Sequence, residues 1–178
     1  MKNNNWYVLT GAPCSGKTKL IKLLAERGYQ TVPELARVYI DQELAKGITI
    51  EELRQDEMAF QRKILEYKID YEKTLPSEAV IFFDRGIPDS EAYYKLCGIE
   101  SDETLKNAIA DCSYKKVFLL DYVKFKKDYA RTESEEEQKQ LHRLLVEIYA
   151  KLNIPIIRVP EVPKPEIIKR LQIVLDNL

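Results

Sequence analysis

Residues 11–18 read Gly-Ala-Pro-Cys-Ser-Gly-Lys-Thr, filling every fixed position of the spacing G-x-x-x-x-G-K-[ST]. That spacing suits one task, the cradling of a polyphosphate by successive backbone N–H groups. Gly11 and Gly16 let the chain turn sharply and approach phosphate where a side chain would collide. Ala12, Pro13, Cys14 and Ser15 complete the cradle, Cys14 through its backbone N–H. Lys17 reaches the outer phosphates, and the Thr18 hydroxyl can bind Mg²⁺.

Further residues with chemical capacity recur at intervals. Asp84-Arg85-Gly86 follows an apolar run. A carboxylate there can hold Mg²⁺ directly or through water, orient an acceptor hydroxyl as base, or simply cap a turn. Arg85 can clamp a phosphate or an acceptor. Pro33-Glu34 precedes Arg37 by one helical turn; Glu34 can take an acceptor proton while Arg37 grips the acceptor. The plainer alternative is an exposed ion pair worth about 0.3–0.5 kcal/mol. Asp121 opens a stretch bearing Lys124, Lys126, Lys127, Asp128, Arg131 and Glu133, where Arg131 could close over a transferring phosphoryl group. The three lysines there read as surface. Val159 to Pro165 holds three prolines and could flank a nucleotide base. Tyr93 and Tyr94 could stack on a planar acceptor, with at least one of them packing in the core. His142 reads as surface and Trp6 as core or sheet edge.

Five strands must position these groups. Trp6–Leu9, Ala79–Phe83, Lys116–Leu120 and Ile154–Val159 are apolar runs and Tyr29–Val32 is a short strand candidate ending at Pro33, all separated by helical periodicity, as expected of a parallel sheet. Lys19–Arg27 is predicted helical with Gly28 as its left-handed cap. Glu34–Lys46 closes at Gly47. Thr49 and Glu52 form a capping box that should open a helix to about Lys73, with Leu53, Phe60, Ile64, Tyr67 and Tyr71 as its apolar stripe. Thr132 with Glu135 should cap another. Pro165 should start the last helix, with Ile167, Ile168, Leu171 and Val174 facing inward. Alternating strands and helices imply an α/β sandwich in which ligands sit beyond the carboxyl ends of the strands. Most of the chemical residues above lie at those ends.

The remaining composition narrows the partners. The 178 residues carry 28 Lys plus Arg against 29 Asp plus Glu, which argues against nucleic acid as the main ligand. Three scattered cysteines and one histidine support neither a zinc site nor a Cys-His nucleophile. No apolar run reaches membrane length and no leader precedes the first strand, so a cytoplasmic protein is expected, a monomer or small homo-oligomer built as a single domain over 1–178.

The ordered set Gly11–Thr18, Val32-Pro33-Glu34-x-Ala36-Arg37, Phe83-Asp84-Arg85-Gly86 with Asp89, and Asp128-x-x-Arg131-x-Glu133 resembles the AAA-type P-loop ATPase family. That family includes the ribosylnicotinamide-kinase module of bacterial NadR proteins. The resemblance covers nearly the whole chain. It implies a three-layer nucleoside/nucleotide-kinase-like sandwich with strand order 2-3-1-4-5 and an Arg-bearing lid. It implies ATP, with GTP possible, at Gly11–Thr18, and Mg²⁺ at Thr18 and Asp84. Lys17 and Arg131 would neutralise the phosphoryl group in flight, and Glu34 or Asp84 would orient the acceptor hydroxyl. Glu34, Arg37, Arg85 and Asp89 would face an unidentified small-molecule acceptor. A regulatory NTP-binding module acting through a partner protein is the alternative. A Ras-like GTPase is disfavoured, because N-K-x-D and a D-x-x-G after the third strand are absent.

Overall fold

The computed structural model describes residues 4–121, 134–163 and 166–178. Five strands form one sheet: β1 (Trp6–Thr10), β2 (Gln30–Val32), β3 (Ile81–Asp84), β4 (Lys116–Leu120) and β5 (Ile156–Val159). All pairings are parallel and the order is β2-β3-β1-β4-β5, as the resemblance implied.

Alternation along each strand builds the layers. Trp6 and Val8 on β1 join Ile81, Phe83 and Val117 on one face. That face is covered by Leu141, Leu145, Ile148 and Tyr149 of α7 (Glu135–Ala150) and Ala92 of α5 (Pro88–Leu96). Tyr7 and Leu9 point the other way with Phe82, Phe118 and Leu120. There α1 (Lys17–Glu26) supplies Leu20, Ile21 and Leu24, and α8 (Ile167–Leu175) supplies Leu171 and Val174. The central strands β1, β3 and β4 are covered on both faces and read as apolar runs, whereas the edge strands β2 and β5 carry the exposed Gln30 and Arg158.

Register fixes the functional edge. Leu9 pairs with Asp84 and Val32 with Phe83, so the loop after β1, the tip of β3 and the exit of β2 leave the sheet side by side. The Arg85 N–H donates to the Leu9 carbonyl at 3.0 Å, extending this ladder past the strand end.

Several local expectations are corrected. The Thr49–Glu52 capping box forms, but it opens only the four-residue α3 (Ile50–Leu53). Asp56 then caps a separate helix, α4 (Glu57–Lys73), its side chain accepting from the Ala59 N–H at 2.9 Å. A second N-cap three residues past Leu53 ends one helix and starts the next, and α2 (Leu35–Ala45) packs across both through Ile40. The cap of α7 is Ser134 with Glu137, the same S/T-x-x-E spacing two residues beyond the one expected; Thr132 lies outside the described residues. Ile168 is 50% exposed, whereas Leu171 and Val174 are buried as expected. A helix that the periodicity did not reveal, α6 (Glu103–Ala110), is capped by Asp102. Among the described residues no helix is long and apolar enough to cross a membrane.

Candidate functional site

The loop between β1 and α1 is held open by its glycines. Gly11 has φ +142°, and a Cβ there would lie 2.6 Å from the Leu120 carbonyl oxygen at the tip of β4. Gly16 (φ +94°) and Cys14 (φ +64°) are also left-handed, so the chain curls around a central space. The first turn of α1 has no side-chain cap and no acidic residue. Its N–H groups and the positive end of its dipole are left for an anion.

Lys17 fills the curl. Its Nζ donates to the carbonyls of Gly11 and Ala12, both at 2.9 Å, and to Ser15 Oγ at 3.2 Å. Burial, with the Arg85 charge adding to it, lowers its pKa to about 8. Two contacts hold the loop from outside. Gln138 of α7 donates through Nε2 to the Pro13 carbonyl. Arg170 of α8 donates to the Ser15 carbonyl (2.5 Å) and the Pro160 carbonyl (2.6 Å).

Thr18 and Asp84 meet beside this loop, with Thr18 Oγ1 donating to Asp84 Oδ2 at 2.8 Å. The other oxygen, Oδ1, is buried and has no partner among the described residues. Burial and the nearby Glu34 charge raise the Asp84 pKa to about 6. An orphaned carboxylate oxygen beside an exposed threonine hydroxyl fits a hard cation. Among the described residues no cluster of three His, Cys, Asp or Glu groups is placed to hold a metal unaided. Such an ion would need phosphate or water oxygens as well.

Arg85 takes a left-handed backbone (φ +74°), a costly state for a non-glycine residue and one that concentrates at functional sites. Its guanidinium is almost wholly buried. Nε meets Glu34 Oε1 at 3.0 Å, and Nη1 meets Asp89 Oδ1 at 3.0 Å and the Gly11 carbonyl at 3.2 Å. The Tyr93 ring lies 5.2 Å beneath it. One side chain thus ties the exit of β2, the tip of β3 and the phosphate loop together. Gly86 is needed next because a Cβ would sit 3.1 Å from the Tyr114 ring.

Asp89 stands behind Arg85, fully buried. Its carboxylate also accepts from Thr10 Oγ1 (2.7 Å), the Gly86 N–H (3.0 Å) and the Tyr149 hydroxyl (2.6 Å). With these contacts made, Asp89 reaches a ligand only by way of Arg85. Thr10 and Tyr149 lie in apolar stretches of sequence, and nothing in their spacing marks them.

A cleft of about 650 Å³, including its open mouth, lies against the loop at Pro13. Its lining includes Glu34, Arg37, Arg85 and Tyr93 together with Arg54 and the α4 residues Phe60, Gln61, Ile64 and Lys68. Glu34, Arg37 and Arg85 are therefore brought together; Arg37 Nε stands 4.0 Å from Glu34 Oε2. Tyr93 lines the cleft whereas Tyr94 is core. Gln61 and Lys68 on α4 were not singled out by sequence, although their spacing with Ile64 marks one helical face. His142, expected on the surface, is half-buried, and burial lowers its pKa. Arg131, Lys124, Lys126, Lys127, Asp128 and Pro165 lie outside the described residues.

A family model described as an AAA domain matches residues 6–166, nearly the whole chain, with the phosphate loop and the Asp84-Arg85 tip inside it. The chain belongs to the AAA domain family. No curated protein matches it significantly in sequence. Among solved structures, this AAA domain is similar to NadR in complex with NR (TM-score 0.71, 19% identity), covering 98% of this chain and 48% of that one. The chain therefore spans about half the length of NadR. Thymidylate kinase from Ehrlichia chaffeensis matches at TM-score 0.68 and 16% identity, with 97% of each chain covered. Deoxyadenosine kinase from M. mycoides with bound dATP matches at TM-score 0.63 and 16% identity, over 97% of this chain and 98% of that one. At these identities the likeness establishes the fold, that of a P-loop nucleoside/nucleotide kinase.

Proposed function

We propose that this protein is a kinase that transfers the terminal phosphoryl group of ATP, or of GTP, to a hydroxyl or phosphate of a small acceptor. One observation carries the reading: Arg85 hydrogen-bonds Gly11 of the phosphate loop and Glu34 of an adjoining cleft, so donor and acceptor sites share a wall. A regulatory NTP-binding module has no need of that second cleft. The groups held by the similar structures, NR in one NadR complex, NAD with AMP-PNP in another and dATP in deoxyadenosine kinase, support a site for nucleotides and nucleosides.

In this reading the residues 11–18 bind the polyphosphate through backbone N–H groups. Lys17 leaves its carbonyl partners and turns to the outer phosphates. Thr18 and Asp84 would hold Mg²⁺, which when bound neutralises charge on the phosphate oxygens. Glu34 lines the cleft and takes the proton of the acceptor hydroxyl. Asp84, occupied by Thr18 and set outside the cleft, is the metal-side carboxylate. Arg37 and Arg85 grip the acceptor, Asp89 positions Arg85, and Arg131 is assigned to charge stabilisation over the phosphoryl group.

The test is phosphate transfer from ATP and GTP across a panel of nucleosides, nucleotides and ribosylnicotinamide. The kinase reading predicts at least one phosphorylated acceptor and loss of nucleotide binding in Lys17→Ala. It fails if nothing in the panel is phosphorylated and Lys17→Ala binds nucleotide as the parent does.

A further inference from the structure

The cleft beside the phosphate loop is rich in cations, and most of them face a carboxylate. Arg85 contacts Glu34 and Asp89 at 3.0 Å each. Arg54 forks onto Glu57 at 2.9 and 3.0 Å. Arg37 stands 4.0 Å from Glu34. Lys68 is different. It is buried on α4, and its Nζ donates to the Gly86 carbonyl at 3.1 Å and to Ser90 Oγ at 3.0 Å, both neutral. Among the described residues no carboxylate lies within 4.0 Å of this ammonium. Asp89 and Glu72 act on it only from farther away, and burial lowers its pKa.

Burying an ammonium against neutral acceptors is costly, whereas a methionine would fill similar space without that cost. The ammonium has three donors and the protein occupies two of them. Lys68 lines the cleft from the same helical face as Gln61 and Ile64, under the Arg85-Gly86 turn. Among the described residues, Asp89, Glu72 and the cleft's own Glu34 act on Lys68 only from beyond 4.0 Å, so no countercharge stands against it at a point that the bound acceptor can reach.

We propose that the acceptor carries its own anionic group, a carboxylate or a phosphate, and that Lys68 pairs with it. This rests on the kinase reading above and adds the chemical class of the acceptor. In a site this dry, an ion pair between ligand and lysine is screened little by solvent. A neutral acceptor of the same shape can take the third N–H as a hydrogen bond but brings no countercharge, so it gains far less from Lys68. The two sources of charge differ in place: a phosphate ester brings the anion on the reacting group, and a ring carboxylate brings it at the opposite end.

Matched acceptor pairs separate the outcomes, with transfer measured by product formation and binding by calorimetry. One pair is a ribonucleoside and its 5′-monophosphate; the other is a pyridine-carboxamide riboside and the corresponding carboxylate. The charged member of one pair should exceed its neutral partner by about tenfold or more in kcat/KM. Lys68→Met should erase that difference mainly through KM, while Lys68→Arg retains it. Lys68→Gln makes the same comparison if the methionine variant does not fold. Equal use of charged and neutral acceptors, or a Lys68→Met loss equal for both, overturns the proposal and leaves phosphoryl transfer standing. Lys68-dependent binding of a charged compound without any transfer supports the anion site, and the kinase reading falls if Lys17→Ala also binds nucleotide as the parent does. Absence of Lys68-dependent binding overturns the anion site, and absence of transfer together with parent-like nucleotide binding in Lys17→Ala overturns the kinase reading as well.

Discussion

Thr18 Oγ1 donates to Asp84 Oδ2 at 2.8 Å, joining the first turn of α1 to the tip of β3, while Asp84 Oδ1 stays buried with no partner among the described residues. This carboxylate binds its proton more tightly in the folded protein than in the unfolded chain, pKa about 6 against an ordinary 3.8. Its contribution to stability therefore falls as pH rises through that window, and above it the ionised group is a net burden without a cation. Asp84→Asn should raise the thermal stability of the ligand-free protein at pH 7, by an amount on the order of 2–3 kcal/mol. The same change should abolish Mg²⁺-dependent phosphoryl transfer. Thermal unfolding with and without Mg²⁺–nucleotide checks the first effect and a transfer assay the second; a destabilised ligand-free variant would refute the assignment.

Lys17 gives a second, opposite linkage. Its pKa is lowered from 10.5 to about 8 by burial and by Arg85. Above about pH 8 the ligand-free site is partly neutral, and a polyphosphate drawn into it restores the charged form. Nucleotide binding near pH 9 should therefore take up a substantial fraction of one proton, measured by calorimetry in buffers of different ionisation enthalpy. The uptake should vanish in Lys17→Met. The ligand-free protein should also gain stability from this group as pH rises from about 8 toward 10.5, because the folded state binds fewer protons there.

The phosphate loop and Asp84-Arg85 were legible because each follows an apolar run that has no other use than a buried strand, and Glu34 because it follows a short strand closed by Pro33. Gly11–Thr18, Glu34 and Asp84-Arg85 were located in this way, and register brought them together. The supporting groups were not legible. Tyr149 and Thr10 sit in core-facing positions, where a hydroxyl is invisible against its apolar neighbours. Lys68 and Gln61 alternate with charged residues of α4 and read as solvent-facing until the tertiary fold turns that face inward. Arg170 follows Lys169 in the otherwise apolar α8, where a charge reads as solvent-facing, yet it is buried against the Ser15 carbonyl. The break between α3 and α4 was hidden because Asp56 competes as a cap inside a continuous helical pattern.

Glu34 and Arg85 should separate cleanly in kinetics. Glu34→Gln keeps the shape and loses the base, so kcat should fall about 10²–10⁴-fold while nucleotide affinity changes little. Arg85→Lys loses the planar fork that spans Glu34, Asp89 and Gly11, and should raise acceptor KM as well as lower kcat. Steady-state kinetics with a productive acceptor distinguishes the two. An unchanged kcat in Glu34→Gln would move the base elsewhere.

Gly11 tests the loop itself. Its left-handed φ leaves alanine no relaxed position, because the added Cβ would stand only 2.6 Å from the Leu120 carbonyl oxygen. The obstruction is backbone in β4, so no side chain can move aside. Gly11→Ala should cost about 2–4 kcal/mol and displace the carbonyl that both Lys17 and Arg85 hold. Chemical denaturation measures the first effect and nucleotide titration the second. Gly28→Ala, where open space surrounds the position, should cost about 1 kcal/mol from φ alone and leave nucleotide binding intact.

Tyr149 offers a test of action at one remove. Its hydroxyl donates to Asp89 Oδ2 at 2.6 Å, and Asp89 Oδ1 in turn receives Arg85 at 3.0 Å. Tyr149→Phe removes only the donor, so the ring keeps its place among Leu145 and Ile148 and the packing cost is small. What is lost is a hydrogen bond to a buried charge, worth about 1.5–3 kcal/mol. Asp89→Ala goes further, leaving Glu34 as the one carboxylate on the Arg85 guanidinium among the described residues, and should cost about 3–5 kcal/mol. If Asp89 acts by positioning Arg85, Tyr149→Phe should raise acceptor KM several-fold while the nucleotide KM stays within about twofold, since the contacts of Lys17 and Thr18 are untouched. Equal rises in both Michaelis constants would mean that the variant loosens the whole sheet edge, and Asp89 would then be a stabilising group with no selective link to the acceptor side.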